Sequence, residues 1–505
     1  MVIEKLNEIK SIIKNCGIAV SLLIVGLIIM LYPMFFISFD LMPGDLGDCR
    51  FINYILEHGY LFLKQVPIHS SFWDLPMFYP TKNALSYSDF MLGGMFIYVP
   101  LRFLVKSPQT TLQIWLVLVC ILNYFSMYLL LKILKFKDIS AATGAFLFAF
   151  CLPRNIQICH LQLFTQFYSI FSLCAFCLLK RENSKIKNNI LFLAGSVLLV
   201  IQLYTSYYLG WFMVFGLVVA SCIFLCFKQT RSKFIDFIKF YKKELFIYSC
   251  LTLILMIPFA VHYLSVDVRP VWDECGRVKL SSFLTSDSFI DKFIFPNKFS
   301  YELETMIGVG YLTTILTIAG IAANKACRKY IILFLITGFV LFGEKHLYHL
   351  ISEIFPGAIA IRAAGRIFFL MLPLYSLSIA FLCDKFKNKT ILLLLTLLII
   401  TEQVPNVNYW EWTKTEHKQR IAEYKIPDKC KAAAYIIKVE PQWKVNNDII
   451  WAGTENNVYT VNGYSGYYPA YRYDIVPEEC TFTIDKEPKI KNNILNVHHR
   501  ETIYE

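Results

Sequence analysis

The sequence predicts an all-α polytopic membrane protein with a small α/β domain at its C-terminal end. Three observations carry that prediction. Apolar runs near 20 residues long recur through residues 16–402, the length at which a helix crosses a bilayer core. The composition is 56% apolar and only 17% charged, against about 45–50% and ~25% for a soluble chain. Residues 403–505 then turn polar and rich in Asn and Tyr, a stretch long enough to fold as a separate unit.

Taken in order, residues 1–15 carry Lys5, Lys10 and Lys14 and read as a cytoplasmic lead-in. The run 16–38 is too long for a signal-peptide core, and no small-residue cleavage site follows it, so it reads as a span. Residues 39–111 form the first outer loop. Inside it, 90–105 is apolar but interrupted by Gly93, Gly94, Pro100 and Arg102. Counting it as a span would turn the later basic loops outward, so it reads as an interfacial or re-entrant helix. The next span is 112–131. Others follow near 139–153, 161–179, 189–204, 208–227, 245–263, 306–323, 330–343, 366–383 and 390–402, about eleven in all.

This arrangement places the Lys/Arg-rich loops 180–187, 228–243, 325–329 and 385–389 inside, as orientation bias requires. It makes residues 1–402 a transmembrane domain with a cytoplasmic N-terminus and an extracytoplasmic domain over 403–505. The net charge of +12 is explained by those loops, so nucleic acid is not an expected partner. The fifteen cysteines lie mostly inside apolar runs, and no second ligand pair follows a CxxC, which argues against a zinc site. Cys430 and Cys480 both fall in the outer domain and could pair, although nothing in the sequence compels it.

The chemistry concentrates in the first outer loop, FDLMPGDLGDCR followed by WDLPMFYPTKNALSYSDF. Asp45 and Asp48 are three apart on a segment that reads as helix after Pro43-Gly44, so both carboxylates can face one way. Capping and helix-dipole roles explain such a pair in soluble proteins. At the end of a span, with Asp74 and Asp89 in the same loop, the pair instead suits a base or a holder of a divalent cation. Asp74, Asp89 and the aromatic Tyr79 suit a sugar ring, with an interfacial aromatic belt as the plainer account of Tyr79. Arg154 and His160 flank a short outer turn, and together they suit a phosphate or a metal, with a satisfied structural histidine as the plainer account. Arg362 and Arg366 in IRAAGR lie four apart at an outer boundary, spaced for a phosphate head group, with lipid snorkelling as the alternative. In the tail, VNGYSGYYPAYRY reads as a hairpin that exposes tyrosines.

With these motifs in place, the chain resembles the GT-C superfamily of multispanning, polyprenyl-phosphate-sugar glycosyltransferases. The likeness rests on GDLGDCR after the first span, on DLPMFYP and YSDF before an interfacial helix, and on the basic turn KILKFK. A narrower likeness, to a bacterial subgroup, adds HLQL, IRAAGR and NGYSGYYP. The resemblance implies a catalytic acid in the first outer loop, Asp45 first and Asp48 second, either of which would also hold a metal (Mg or Mn). It implies a donor phosphate near Arg362, Arg366 and His160, and an inverting transfer from a polyprenyl-phosphate-linked sugar to an envelope glycan or lipid in contact with membrane lipids. DLPMFYP replaces the His-Pro-Pro form of the protein O-mannosyltransferases, which argues against that acceptor. A transporter or flippase of lipid-linked sugars and a polymerase or ligase of lipid-linked glycans are the competing classes.

Overall fold

A computed structural model describes residues 2–266, 278–294, 303–343, 345–361, 363–407, 409–466, 469 and 473–488, with the backbone alone for 2–16 and 345–346. Arg362 lies outside the described residues.

The apolar runs become helices. α1 (Val2–Tyr32) leads through a short ribbon strand β1 (Leu41–Met42) to α2 (Asp48–Leu63), α3 (Leu92–Leu104), α4 (Pro108–Ile133) and α5 (Asp138–Phe150). A short turn α6 (Leu152–Ile156) precedes α7 (Phe167–Cys177), α8 (Lys185–Thr205), α9 (Tyr207–Cys226), α10 (Lys228–Phe240) and α11 (Lys242–Leu264). Then come α12 (Phe289–Ile294), α13 (Tyr311–Ala323), α14 (Arg328–Gly343), α15 (Lys345–Ile354), α16 (Phe368–Lys385) and α17 (Lys389–Glu402).

α5 lies at the centre of the bundle, packed against α1, α4 and α16. Its Ser140, Ala141, Ala142, Gly144 and Ala145 are fully or almost fully buried. Small residues allow this approach, as in membrane helix pairs generally. A Cβ on Gly144 would sit 2.8 Å from the Ser376 carbonyl, so α16 presses directly on α5. Helix ends are set locally. Ser107 caps α4 through the Thr110 N–H at 3.3 Å, and Pro108 fills the first helical position.

Seven helices among the described residues are long and apolar enough to cross a membrane, or eight if the bent pair Arg328–Gly343 and Leu347–Ile354 counts as one span. The expected eleven thus resolve into full spans and shorter pieces. Leu161–Cys177, Tyr311–Ala323 and Lys389–Glu402 coincide with expected spans. At 1.5 Å per residue they reach only about 20–26 Å, against a hydrocarbon core of ~30 Å. Leu92–Leu104, expected at the interface, is likewise a short apolar helix. It buries Gly93, Gly94, Met95, Tyr98 and Val99 and exposes Phe96, Phe103 and Leu104.

After α17 the chain forms β2 (Trp412–Thr413), α18 (Lys414–Ala422), β3 (Ala432–Ile437), α19 (Gln442–Glu455), β4 (Tyr459–Thr460) and β5 (Thr481–Ile484). The order β4-β3-β5 is parallel throughout, with α19 as the crossover from β3 to β4. Cys430 and Cys480 form a disulfide between the residues that lead into β3 and β5. This α/β unit is bound closely to the first outer loop. β1 pairs antiparallel with β2, and Trp412 Nε1 donates to the Pro43 carbonyl at 3.0 Å. The backbone of 76–79 exchanges hydrogen bonds with Thr460 and Asn462. Loop and tail share one hydrophobic core with the helices.

Candidate active site

The site begins where β1 turns into α2. Gly44 sits at φ +69°, and a Cβ there would lie 2.8 Å from Cys49 Cβ and 2.9 Å from Cys159 Cα. Glycine is what lets this turn lie flat on the segment before His160. Asp45 then folds back, its Oδ1 accepting from the N–H groups of Gly47 (3.1 Å) and Cys49 (3.5 Å). Asp48, the first residue of α2, points the other way.

Asp48 meets a row of charged groups from distant parts of the chain. Its Oδ2 lies 3.0 Å from His160 Nε2, which is also 3.5 Å from Glu304 Oε1. Facing two carboxylate oxygens, that nitrogen is the protonated one. Glu304 accepts two hydrogen bonds from Arg366, at 2.7 Å from Nη2 and 3.2 Å from Nε. The Arg366 guanidinium lies 4.8 Å over the ring of Tyr208. From the tail, the Tyr464 hydroxyl donates to Asp48 Oδ1. The side chains of Asp48, Glu304, His160 and Arg366 are 35%, 26%, 20% and 11% exposed, so the recess is open to a substrate.

Local electrostatics separate the acids. Burial, reinforced by the Asp48 charge, pushes the Asp45 carboxyl up to about 6 against the pull of His160. Desolvation also acts on Asp48, but the hydrogen bond and charge of His160, with Tyr464 and Arg366, hold it at about 2. Burial pushes the Glu304 carboxyl up as well, but Arg366 and His160 outweigh it and hold it at about 2.

The other expected residues lie elsewhere. Arg154, paired with His160 in the sequence reading, is wholly buried and separate from the row. It donates to the carbonyls of Phe148 (3.2 Å) and Leu163 (3.2 Å) and to Gln166 Oε1 (2.7 Å), between the rings of Phe148 and Phe369. It ties α5 to the segment before α7. Asp74 accepts from the Asn83 N–H at 2.7 Å and lies 3.4 Å from Lys82, closing its own loop. Asp89 accepts from the Tyr207 N–H at 2.7 Å and so caps α9. Tyr79 rests its ring on Tyr459, centroids 5.3 Å apart, and is partly exposed. Arg362 falls outside the described residues.

Asp45 and Asp48 were also expected to hold a divalent cation. Asp48, His160 and Glu304 supply oxygen and nitrogen donors of a suitable kind, but as arranged they form a hydrogen-bonded row. Asp45 faces backbone amides. Among the described residues no three His, Cys, Asp or Glu side chains converge as metal ligands.

Glu304 and Tyr464 were not singled out from sequence. Glu304 ends an outer segment without periodic pattern, and its only signal was acidity beside a following span. Tyr464 stood in a Gly-flanked turn that an ordinary hairpin explains.

An apolar groove of about 170 Å³ runs between α7, α9, α14 and α16, its lining beginning at Leu209 and Phe369, shortly after Tyr208 and Arg366 in the chain. Leu209, Phe212, Met213, Phe334, Phe369 and Leu370 line it.

Three solved structures of the Archaeoglobus fulgidus oligosaccharyltransferase are similar to this chain. AglB in complex with an inhibitory peptide and a dolichol-phosphate is 13% identical at TM-score 0.50, over 92% of this chain and 66% of that one. The crystal structure in complex with Zn and sulfate is 12% identical at TM-score 0.50, over 88% and 62%. A third, tethered to an acceptor peptide containing the NVT sequon, is 11% identical at TM-score 0.49, over 89% and 64%. The chain thus spans somewhat under two thirds of the length of these structures, and at such identity the likeness is one of fold alone. No curated protein matches the chain. A family model described as a domain of unknown function (DUF6311) matches residues 58–403, well over half of the sequence, and the chain belongs to that family.

Proposed function

We propose that the protein is a membrane glycosyltransferase that moves one sugar from a polyprenyl-phosphate donor to an extracytoplasmic envelope acceptor. The observation that carries this reading is the row Asp48–His160–Glu304–Arg366, which sets a partly exposed carboxylate beside an immobilised guanidinium. A sugar transfer needs both ends: a base for the acceptor hydroxyl and cationic donors for the departing phosphate.

Asp48, held ionised, orients the acceptor hydroxyl and takes its proton as the new bond to the anomeric carbon forms. The bond from that carbon to the phosphate oxygen breaks, and its electron pair leaves with the phosphate. Glu304 engages Nε and Nη2 of Arg366, so Nη1 is not used by that pair and can meet a phosphate oxygen. His160 lies within reach of the same charge. Attack from the face opposite the phosphate inverts the anomeric centre. The apolar groove that begins at Leu209 and Phe369 takes the start of the polyprenyl chain, whose apolar carbons gain by leaving polar surroundings.

The Cys430–Cys480 disulfide fits an oxidising compartment. Because the tail is bound to the first outer loop, that side is the site's side too, which supports an extracytoplasmic acceptor and a cytoplasmic N-terminus in a bacterial inner membrane. The test is transfer of radiolabelled sugar from polyprenyl-phosphate donors in membranes containing wild type, Asp48→Asn or Asp45→Asn. Loss of the base is expected to reduce transfer about 10²–10⁴-fold in Asp48→Asn and less in Asp45→Asn. Equal transfer by all three would remove the acidic turn from the chemistry.

A further inference from the structure

At the other end of α9 lies a feature the transfer reaction does not use. α9 has 20 residues, about 30 Å of helix, so α10, which follows its C-terminal end, lies a membrane's thickness from Tyr208. α10 has no buried residue. Phe227, Thr230, Phe234 and Phe237 are half-buried and repeat at three- and four-residue spacing ahead of the buried Tyr241. They lay one face of the helix on the protein. Ile235, Ile238 and Phe240 stay exposed, beside the exposed basic side chains of Lys228, Arg231, Lys233 and Lys239, with Lys242 and Lys243 following at the start of α11. Among the described residues none of these six cations forms an ion pair. Two neighbouring elements brace the helix. Arg181 donates to the Asp236 carbonyl at 3.3 Å and lies 4.9 Å over the Phe240 ring. Lys329, at the start of α14, lies 4.5 Å over the Phe227 ring.

Against these six cations the same stretch carries only Asp236 and Glu244, so a positive excess is left that an anion would compensate. A short basic helix with exposed aliphatic side chains, joined at both ends to membrane spans, lies in the plane of the interface and meets phosphate head groups there. Juxtamembrane clusters of four to eight Lys/Arg are the usual form of anionic-lipid recognition. We propose that α10 and its flanking lysines form a binding surface for anionic phospholipid head groups, on the membrane face opposite the candidate active site. Head-group phosphates pair with Arg231, Lys233 and Lys239 while Ile235 and Ile238 enter the acyl boundary. This proposal does not depend on the transferase reading.

The test reconstitutes the full chain in nanodiscs of mixed zwitterionic phosphatidylcholine and anionic phosphatidylglycerol, and counts by native mass spectrometry the lipids each protein retains. Wild type is expected to enrich the anionic lipid. The triple variant Arg231→Gln, Lys233→Gln, Lys239→Gln is expected to lose that enrichment by about tenfold, a discounted figure for three juxtamembrane charges. Lys233→Arg with Lys239→Arg is expected to keep it. Added glycerol phosphate, a soluble head group, should not displace the lipid. Wild type without enrichment, a triple variant that keeps it, or loss in the Lys→Arg variant would overturn the proposal. So would full displacement by glycerol phosphate, which would mark a site for a free anion.

Discussion

Two charged clusters flank the first turn of α2 and differ mainly in how much water reaches them. Asp48 looks into the recess shared with His160, Glu304 and Arg366, with side chains 11–35% exposed. Arg50, two residues on, looks the other way. It lies 2.8 Å from Asp448 with both side chains at 0% exposure, and its Nε donates to His417 Nδ1 at 3.2 Å. Asp448 also receives Arg420, through Nε at 3.0 Å and Nη2 at 2.8 Å. The closed cluster joins α2 to α18 and α19 and so clamps the tail to the loop. The open one likewise pairs carboxylates with His and Arg at contact distance, but its groups can exchange a partner for a substrate. Exposure, more than charge, separates the structural network from the candidate catalytic one.

The sharpest way to break this comparison is one substitution in each cluster. Asp448→Ala leaves Arg50 buried without its carboxylate, and breaking such a pair costs about 3–5 kcal/mol. A strong fall in Tm is expected, with transfer per folded molecule much less affected. Asp48→Asn should do the reverse, changing stability by about 1 kcal/mol or less, as exposed pairs do, while transfer collapses. Comparable unfolding of both variants, measured by thermal melts in the same detergent, would erase the distinction.

How much of this was legible in the sequence follows from the range of the interactions involved. Spans are local, so each expected run did become a helix. One length was less legible: the expected 306–323 becomes helix only from Tyr311, after Gly310 turns the chain at φ +93°. Asp45 and Asp48 were visible as a pair, but which one faces the recess depends on the backbone of Gly44 lying against Cys159. Arg154 and His160 look like partners at six residues' separation. Arg154 is drawn inward by Gln166 and Phe369, contacts that a linear reading does not contain. Glu304 owes its place entirely to Arg366 and His160, both remote in sequence.

The link between the two clusters is testable at Tyr464. The tail is clamped through Arg50 and Asp448, and it delivers the Tyr464 hydroxyl to Asp48. Tyr464→Phe removes a hydrogen bond to a charged acceptor, an interaction worth about 1.5–3 kcal/mol. Transfer is expected to fall about tenfold, with a fall in Tm smaller than that of Asp448→Ala. Because Tyr464 helps hold the Asp48 carboxyl low, the acid limb of the pH–rate profile should also move to higher pH. A variant with wild-type rate and profile would reduce Tyr464 to a packing residue.

The smallest expected effect concerns Asp45, which serves the open cluster without joining it. Its carboxyl titrates near 6 because burial and the Asp48 charge disfavour ionisation. At pH 7 it is mostly ionised and grips the Gly47 and Cys49 amides; at pH 5 it is mostly protonated and grips them less. Transfer should therefore drop a few-fold as the pH falls through about 6. Stability should not fall with it on this account. A carboxyl whose folded-state value lies above its ordinary value of 3.8 binds its proton more tightly when folded, so acidification to pH 5 favours the folded state at this position. Asp45→Asn keeps an acceptor oxygen but cannot titrate. Its profile should lose the step near 6 and run at the lower, acid-side level throughout. A step that persists in Asp45→Asn would assign the titration to another group of the recess and leave Asp45 as an ordinary helix-entry residue.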